Sequence, residues 1–232
     1  MKKDPIYSSN AIESLDNSHN SIDFNLKVVM AGEAGVGKSA MIKSEKGFES
    51  VYMSTICFEH SWRDFKVNEK IIRMQIWDTS GQELYRSLIN KFFNEASVVI
   101  IVFALDDVES FNKCKMWVNE IKSFADDETI LYLVGNKSDS ENRNVSKEQI
   151  DSFMNSNNIK SYKECSAKNS ESVNELFKDV IMNGYNKFIL PKLNQVESYS
   201  RESTRNKVED AINLKGENTR GYCNKDCLCF GY

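Results

Sequence analysis

Residues 32–39 read Gly-Glu-Ala-Gly-Val-Gly-Lys-Ser and match the pattern G-x-x-x-x-G-K-[ST], directly after an apolar run, residues 26–31, and directly before a helical stretch. Glycines in such a strand-to-helix turn let backbone N–H groups face inward, and with the helix N-terminus they form a cradle for phosphate. Lys38 adds a positive charge near the outer phosphates, and the Ser39 hydroxyl can bind Mg²⁺. The stretch predicts a phosphate-binding loop; a glycine-rich turn that binds no ligand is the alternative.

Around this loop, short β-branched runs alternate with helical stretches. The predicted strands are residues 26–31, 58–67, 70–77, 98–104, 130–134 and 161–165, and the predicted helices begin near residues 38, 110, 146 and 171. This alternation favours a parallel sheet covered on both faces, and the polar pair Asn68-Glu69 suits a tight hairpin. The sequence therefore predicts an α/β, three-layer P-loop NTPase fold: a mainly parallel six-stranded sheet with one antiparallel edge strand and helices on both faces.

The 232 residues, 41% of them hydrophobic, are enough for one substantial core with residues left over at both ends. Residues 1–23 are rich in Ser, Asn and Asp and are predicted to be a disordered arm. Residues 24–190 form the predicted domain. Beyond it, residues 191–232 lose periodicity and are predicted to be a flexible tail.

Charge and composition exclude several classes of function. A net charge of −4 argues against nucleic acid as a partner, because no summed positive field is offered. The longest apolar run, residues 96–105, is about half of what a membrane-crossing helix needs. The N-terminus lacks the apolar core of a secretory signal, and six scattered or C-terminal cysteines form no disulfide framework. We expect the chain to stay in the cytosol.

Three further motifs follow predicted strands. In Asp78-Thr79-Ser80-Gly81-Gln82, an acid can hold a metal, the Gly81 amide can meet a terminal phosphate, and Gln82 can orient a water. The second motif is Asn136-Lys137-Ser138-Asp139, and the third is Cys165-Ser166-Ala167-Lys168.

These last two motifs decide which base is bound. The Asp139 carboxylate can accept hydrogen bonds from N1–H and the 2-amino group of guanine, whereas adenine offers no such donors and would leave the carboxylate unpaired. Asn136 would brace the loop, Lys137 would lie along the base, and the Ala167 amide would meet the guanine carbonyl oxygen. We expect a guanine nucleotide.

With these motifs in order from residue 26 to about 187, the chain resembles the Ras-like small GTPase family. The resemblance implies GTP or GDP with Mg²⁺, a metal held by Ser39 and Thr55 with Asp78 behind them, and Phe48 packed against the guanine edge. It assigns catalysis to Gln82, Lys38, Thr55 and Gly81. The residues it places around the nucleotide are Gly32, Ala34, Gly35, Val36, Gly37, Lys38, Ser39, Ala40, Phe48, Thr55, Gly81, Asn136, Lys137, Asp139, Ser166, Ala167 and Lys168.

The resemblance also implies a switch. Thr55 and Gly81 can both touch the γ-phosphate or its metal, so residues 48–58 and 81–91 are expected to be ordered with GTP and released with GDP. An exchange factor, a GTPase-activating protein and effectors would read that difference at these two segments.

Within the family the chain is similar to Rab proteins, with several departures. His60 stands where Rabs place an effector-binding Phe, Phe92-Phe93 replaces a tyrosine pair, and Leu84 replaces a charged residue. The chain between Ser39 and Phe48 is two residues shorter than usual, which predicts an early end to the first helix. Ala34 lies where bulk slows hydrolysis, so we expect slow turnover.

Three cysteines, Cys223, Cys227 and Cys229, crowd the last ten residues. The pair Cys227 and Cys229 resembles a Rab double-prenylation site, which predicts a protein held peripherally on the cytosolic face of a membrane. An unmodified tail is the alternative. Zinc is disfavoured because it would want a fourth ligand.

The resemblance implies a small GTP-binding protein that cycles between GTP and GDP, hydrolyses GTP slowly and recruits effectors in vesicle trafficking. The alternatives are a Ras-like signalling GTPase and a nucleotide-binding module with little hydrolysis. A P-loop small-molecule kinase would have no use for residues 136–139.

Overall fold

The computed structural model describes residues 12–15, 21–44, 58–79 and 91–196. The strands are β1 (Ile12–Leu15), β2 (Phe24–Ala31), β3 (Phe58–Val67), β4 (Lys70–Thr79), β5 (Val98–Ala104), β6 (Ile130–Asn136) and β7 (Ser161–Glu164). The helices are α1 (Lys38–Lys43), α2 (Val108–Phe124), α3 (Lys147–Asn157) and α4 (Ser170–Gly184), and a π-helical turn covers Tyr185–Ile189. Among the described residues, those up to Phe188 belong to one compact unit, and those from Ile189 onward belong to a second.

The strands form one sheet in the order β1-β3-β4-β2-β5-β6-β7. Strands β4, β2, β5, β6 and β7 run parallel, and β3 is antiparallel to β4 through the predicted hairpin. Asn68 and Glu69 both take positive φ, at 47° and 64°, as a tight two-residue hairpin turn requires. The α/β fold with its mainly parallel sheet is confirmed.

Three details differ from the prediction. The first concerns the tail: residues 191–196, predicted to be flexible, are helical. Within the described residues the sheet has seven strands rather than six, because residues 12–15 pair antiparallel with residues 64–67 of β3. The antiparallel strand β3 is therefore not at the edge over that stretch, and the segment predicted to be a disordered arm contains a strand. The physical reason is that β3 offers an unpaired row of backbone N–H and C=O groups, which a short strand with two half-buried apolar residues, Ile12 and Leu15, can satisfy.

Strand β5 lies at the centre of the core, and all seven of its residues are buried. One face of the sheet is covered by α2 and α3, which pack Phe111, Trp117 and Ile150 against it. On the other face, α4 approaches β2 so closely that a Cβ at Gly184 would lie 2.5 Å from the Leu26 side chain. The three predicted layers are present.

Parallel strands that share a sheet bring their carboxyl ends to one edge. The ends of β2, β4, β5 and β6 therefore place residues 32–39, Asp78 and Asn136 at the same edge of the sheet. The segment that follows β7, residues 165–168, comes to the same edge. The fold itself gathers the motifs into one site.

Helix α2 begins with a side-chain cap. Oδ1 of Asp107 accepts from the backbone N–H groups of Glu109 and Ser110, at 2.9 and 3.3 Å. An Asp107→Ala substitution should lower the free energy of unfolding by about 1 kcal/mol, because both amides lose their partner. Urea unfolding measures this, and Asp127→Ala, an exposed aspartate outside the helices, is the control. Equal losses in the two variants would contradict the capping role.

Candidate nucleotide-binding site

The loop between β2 and α1 takes a course that only glycine permits. Gly32, Gly35 and Gly37 have φ of 134°, 77° and 98°. A Cβ at Gly32 would lie 2.2 Å from the Val102 carbonyl oxygen, and one at Gly37 would lie 2.2 Å from Nδ2 of Asn136. The loop therefore passes directly against β5 and against the Asn136 side chain, as a backbone cradle for phosphate requires.

Lys38, the first residue of α1, is only 6% exposed. Its Nζ donates to the carbonyl oxygens of Gly32 and Glu33, at 2.7 and 2.8 Å, so the ammonium group lies inside the loop. Burial lowers the pKa of Lys38 to about 8, and the nearby carboxylates of Asp78 and Glu33 oppose that shift. A phosphate placed in the loop would favour the charged form and raise the pKa again.

This pKa predicts a pH-dependent affinity. If nucleotide raises the pKa of Lys38, the complex holds more protons than the free protein above pH 8, so affinity should fall as pH rises. For one linked proton the slope approaches about tenfold per pH unit. Titrations of fluorescent GDP from about pH 7 to 9 measure it. Lys38→Arg is the control, because its guanidinium stays protonated over this pH range. Any pH dependence of its affinity then reports titration of the nucleotide itself. Parallel slopes in both proteins would contradict the assignment.

Ser39 and Asp78 form the candidate metal site. The Ser39 hydroxyl donates to Oδ2 of Asp78, which is 2% exposed. Burial raises the pKa of Asp78, and the Ser39 hydrogen bond and the Lys38 charge oppose the shift. These are oxygen donors, which Mg²⁺ prefers, and Mg²⁺ usually completes its shell with phosphate and water. In the described part of the chain, no group of three or more His, Cys, Asp or Glu side chains is arranged to hold a metal ion.

Asn136, at the end of β6, ties the phosphate loop to the segment after β7. Its side chain is buried, Nδ2 donates to the Val36 carbonyl at 2.7 Å, and Oδ1 accepts from the Ala167 N–H at 3.1 Å. Both ends of this amide are therefore bonded to backbone in two different loops. Asn136 therefore joins the two loops to each other.

The Asp139 carboxylate lies beside the third motif. Oδ1 accepts from the Ser166 hydroxyl at 2.6 Å, and Oδ2 pairs with Nζ of Lys168 at 2.8 Å. The Lys168 and Ser166 contacts lower the pKa of Asp139 below its usual range. The carboxylate is thus ionised at neutral pH and can act only as an acceptor, which is what the donor edge of guanine requires.

Lys137 has a left-handed backbone, with φ of 62°, and its Nζ pairs with the Asp106 carboxylate at 3.1 Å. Val36 is buried, Ala40 is partly buried, and Ala34 and Gly35 are exposed at the tip of the loop. Six predicted site residues lie outside the described residues: Phe48, Thr55, Gly81, Gln82, Cys227 and Cys229. The same is true of most of the two predicted switch segments.

Sequence reasoning missed one residue of the loop, Glu33. Its carboxylate accepts from Nε1 of Trp117 at 3.1 Å and from Nζ of Lys113 at 3.2 Å, so it joins the loop to α2. Glu33 occupies a position where the motif allows any residue, and its partners lie on another helix. The one signal in the sequence was an acidic residue next to a phosphate site, where its negative charge would repel the phosphate unless the carboxylate were paired.

Aromatic rings line the surface beside the site. The ring centroid of Phe58 lies 4.6 Å from that of Phe92 and 5.7 Å from that of Trp77. The ring centroid of His60 lies 4.6 Å from that of Trp77 and 6.0 Å from that of Trp62. Phe58 and Trp62 are each 43% exposed. We call these five residues the aromatic surface. The five rings lie on one face of the β3–β4 hairpin and at residue 92.

No helix within the described residues is long and apolar enough to cross a membrane.

A glycine-rich loop around a buried lysine, a serine–aspartate pair beside it, and an ionised aspartate that can accept from guanine are features of P-loop proteins of the guanine-nucleotide-binding class. The family model of the Ras family matches residues 27–186, and the chain belongs to this family. It is thus a Ras-like small GTPase that binds guanine nucleotide and hydrolyses GTP, and it is most similar to Rab proteins.

Three similar proteins come from a plant and a yeast. The chain is 37% identical over 158 residues to the GTP-binding protein YPTM2 of Zea mays, an alignment that covers 67% of this chain and 77% of that protein. It is 35% identical over 159 residues to the Ras-related protein SEC4 of Saccharomyces cerevisiae, covering 68% and 74%. It is 32% identical over 212 residues to the GTP-binding protein YPT1 of the same yeast, covering 87% and 97%.

Proposed function

We propose that this GTPase is a trafficking switch that recruits effectors to a membrane while GTP is bound and releases them after slow hydrolysis. The observation that carries the proposal is the position of the aromatic surface. Phe58 is the last residue of the first predicted switch segment, and Phe92 directly follows the second. Their rings lie 4.6 Å apart. A partner that covers this surface therefore contacts the end of the first segment and the residue that directly follows the second.

The nucleotide would lie across the edge of the sheet at the carboxyl ends of β2, β4 and β6. In this arrangement Lys38 and the amides of residues 34–40 hold the phosphates, while Asp139 and the Ala167 amide read the base. Lys137 and Lys168 would flank the base, each already oriented by a carboxylate. Phe48 would close the edge of the guanine.

Hydrolysis needs a positioned water and a neutralised phosphate chain. Mg²⁺, when bound, would neutralise charge between the outer phosphates, and Ser39 and Thr55 would hold it, with Asp78 orienting the Ser39 hydroxyl. Gln82 would orient the attacking water, and the Gly81 amide would donate to the γ-phosphate. An arginine supplied by an activating protein would be worth ~10³–10⁵ in rate. Ala34 keeps the unassisted rate slow.

The role in membrane trafficking is supported by the similarity to Rab proteins and by the tail cysteines. Prenyl groups on Cys227 and Cys229 would hold the chain stably on a membrane, because two lipid chains anchor a protein firmly whereas one chain binds only weakly and reversibly. Expression of the full chain in eukaryotic cells and separation of membranes tests this. The protein should sediment with membranes, and Cys227→Ser/Cys229→Ser should stay in the supernatant. A wild-type protein found wholly in the supernatant would contradict lipidation.

Single-turnover hydrolysis separates a slow GTPase from a binding module. Protein loaded with GTP should release phosphate slowly, and cell extract should accelerate release as a source of activating protein. Gln82→Leu should bind GTP equally well and respond to neither condition. No release in either condition would favour the module with little hydrolysis over the switch.

Effector recruitment is tested at Trp62, whose ring is exposed and lies away from the nucleotide loops. Immobilised protein loaded with a non-hydrolysable GTP analogue should retain partners that the GDP form does not. Trp62→Ser should lose these partners and keep its nucleotide affinity, while Phe124→Ser, an exposed aromatic at the end of α2, should keep both. Retention that is equal in the GTP and GDP forms would contradict the proposed switch.

A further inference from the structure

Arg63 is a buried arginine that the nucleotide site does not use. It lies on β3 and is only 8% exposed. Its Nη2 donates to the Ile42 carbonyl of α1 at 2.8 Å, and its Nη1 donates to Oδ1 of Asn174 on α4 at 3.0 Å. Its Cζ also lies 4.6 Å from the centroid of the Phe177 ring. One guanidinium group therefore joins the last turn of α1 to α4.

Helix α1 needs such support. It has six residues, far fewer than an isolated helix needs to be stable, and its last carbonyl groups have no partner within the helix. The Ser44 backbone N–H and hydroxyl both bond to the Met41 carbonyl, the hydroxyl at 2.8 Å. Arg63 bonds to the next carbonyl, that of Ile42. A planar guanidinium can do this while it also contacts Asn174, because its donors point in fixed, different directions.

The opposite end of the same helix holds the nucleotide site. Lys38 and Ser39 are its first two residues, so the helix is about one and a half turns long between the phosphate loop and the Arg63 contact. A helix this short moves as one body. A tilt that frees the Ile42 carbonyl would also shift Ser39 relative to Asp78, whose hydrogen bond sets up the candidate metal site.

We propose that Arg63 is a positioning residue that fixes α1 against α4 and thereby sets how long the GTPase retains its nucleotide and Mg²⁺. Asn174 is its anchor. The inference rests on the proposed nucleotide site at residues 32–39. It assigns α4 a part in nucleotide retention, although α4 contributes no predicted nucleotide contact.

The test is the dissociation rate of fluorescent GDP from the full-length protein in excess Mg²⁺, chased with unlabelled GDP. Arg63→Met should dissociate about tenfold faster, the effect expected from losing the charge-assisted hydrogen bond to the Ile42 carbonyl of α1. Arg63→Lys should also be faster, because one ammonium cannot satisfy both acceptors in the same geometry. Chelation of Mg²⁺ should shrink the difference between wild type and Arg63→Met, because Ser39 then has no metal to hold.

Asn174 provides a pair of variants that leaves Arg63 in place. Asn174→Leu removes the acceptor and should accelerate dissociation, whereas Asn174→Asp supplies a charged acceptor and should match or slow the wild-type rate. Tyr132→Phe is the control, since its hydroxyl bonds to Asp179 on the same helix at 3.1 Å without touching α1. It should lower the melting temperature and leave the dissociation rate unchanged.

Several results would overturn the inference. These are an unchanged rate in Arg63→Met, an equal acceleration in Tyr132→Phe, or an equal acceleration in the Leu and Asp variants of Asn174. If Arg63→Met does not fold, the Asn174 pair decides. A wild-type protein that retains no guanine nucleotide would overturn the nucleotide site itself, which separates that failure from a failure of Arg63.

Discussion

Asp139→Asn should weaken binding of GTP and GDP by about 10²–10⁴-fold, because one of the two hydrogen bonds to the carboxylate is lost and the other no longer has a charged acceptor. The Asp139 carboxylate is ionised, and its pKa is held low by Lys168 and Ser166. An amide offers one acceptor oxygen and one NH₂ donor, and the donor would face the 2-amino group of guanine. Competition against fluorescent GDP gives the affinities.

The same substitution should change which base is preferred. Xanthine carries a carbonyl oxygen where guanine carries its 2-amino group, so the new NH₂ donor would be matched instead of opposed. Xanthosine diphosphate should therefore bind Asp139→Asn more tightly than GDP does. Asp106→Asn removes a neighbouring carboxylate that pairs with Lys137 and should leave the order of preference unchanged. Weakened binding with no change of preference would show that Asp139 supports the loop and does not read the base.

Much of the fold was predictable because its signals are local. The run of β-branched residues in β5 indicated a buried strand, and the structure buries all seven residues. The sequence also predicted which motifs come together in the site, because these motifs follow parallel strands whose carboxyl ends lie at one edge of the sheet. Asn136 and Ala167 meet at 3.1 Å although 31 residues separate them.

The rest depends on contacts between distant residues that leave no local signal. Strand β1 is only four residues long, with two polar residues between Ile12 and Leu15, and it exists because β3 has a free edge there. Arg63 and Asn174 are 111 positions apart, and Glu33 and Trp117 are 84 apart. An arginine in a strand and a glutamate in a glycine-rich loop usually indicate solvent exposure. Only the packed structure shows that each is bonded to a side chain on a neighbouring helix.

Gly37→Ala should reduce nucleotide affinity by at least about 100-fold while leaving the sheet intact. A Cβ at this position would lie 2.2 Å from Nδ2 of Asn136, and φ is 98°, where side chains are strained. Asn136 cannot move aside, because it is buried and bonded to Val36 and Ala167. The loop must therefore shift, which breaks the bracing between the phosphate loop and the segment that meets the base. Titration with fluorescent GDP measures the loss.

Gly35→Ala separates strain from contact. Gly35 also has a positive φ, 77°, but a Cβ there would have nothing within 4 Å. Left-handed strain alone costs about 1–2 kcal/mol, so this variant should lose about tenfold in affinity. The difference between the two alanine variants then reports the contact with Asn136. Asn136→Ala removes the amide that the added methyl of Gly37→Ala would meet. In that background both alanine variants should bind more weakly, but the difference in affinity between them should be smaller. If the difference in affinity persists in the Asn136→Ala background, Gly37→Ala acts instead by displacing the backbone N–H groups that face the phosphate.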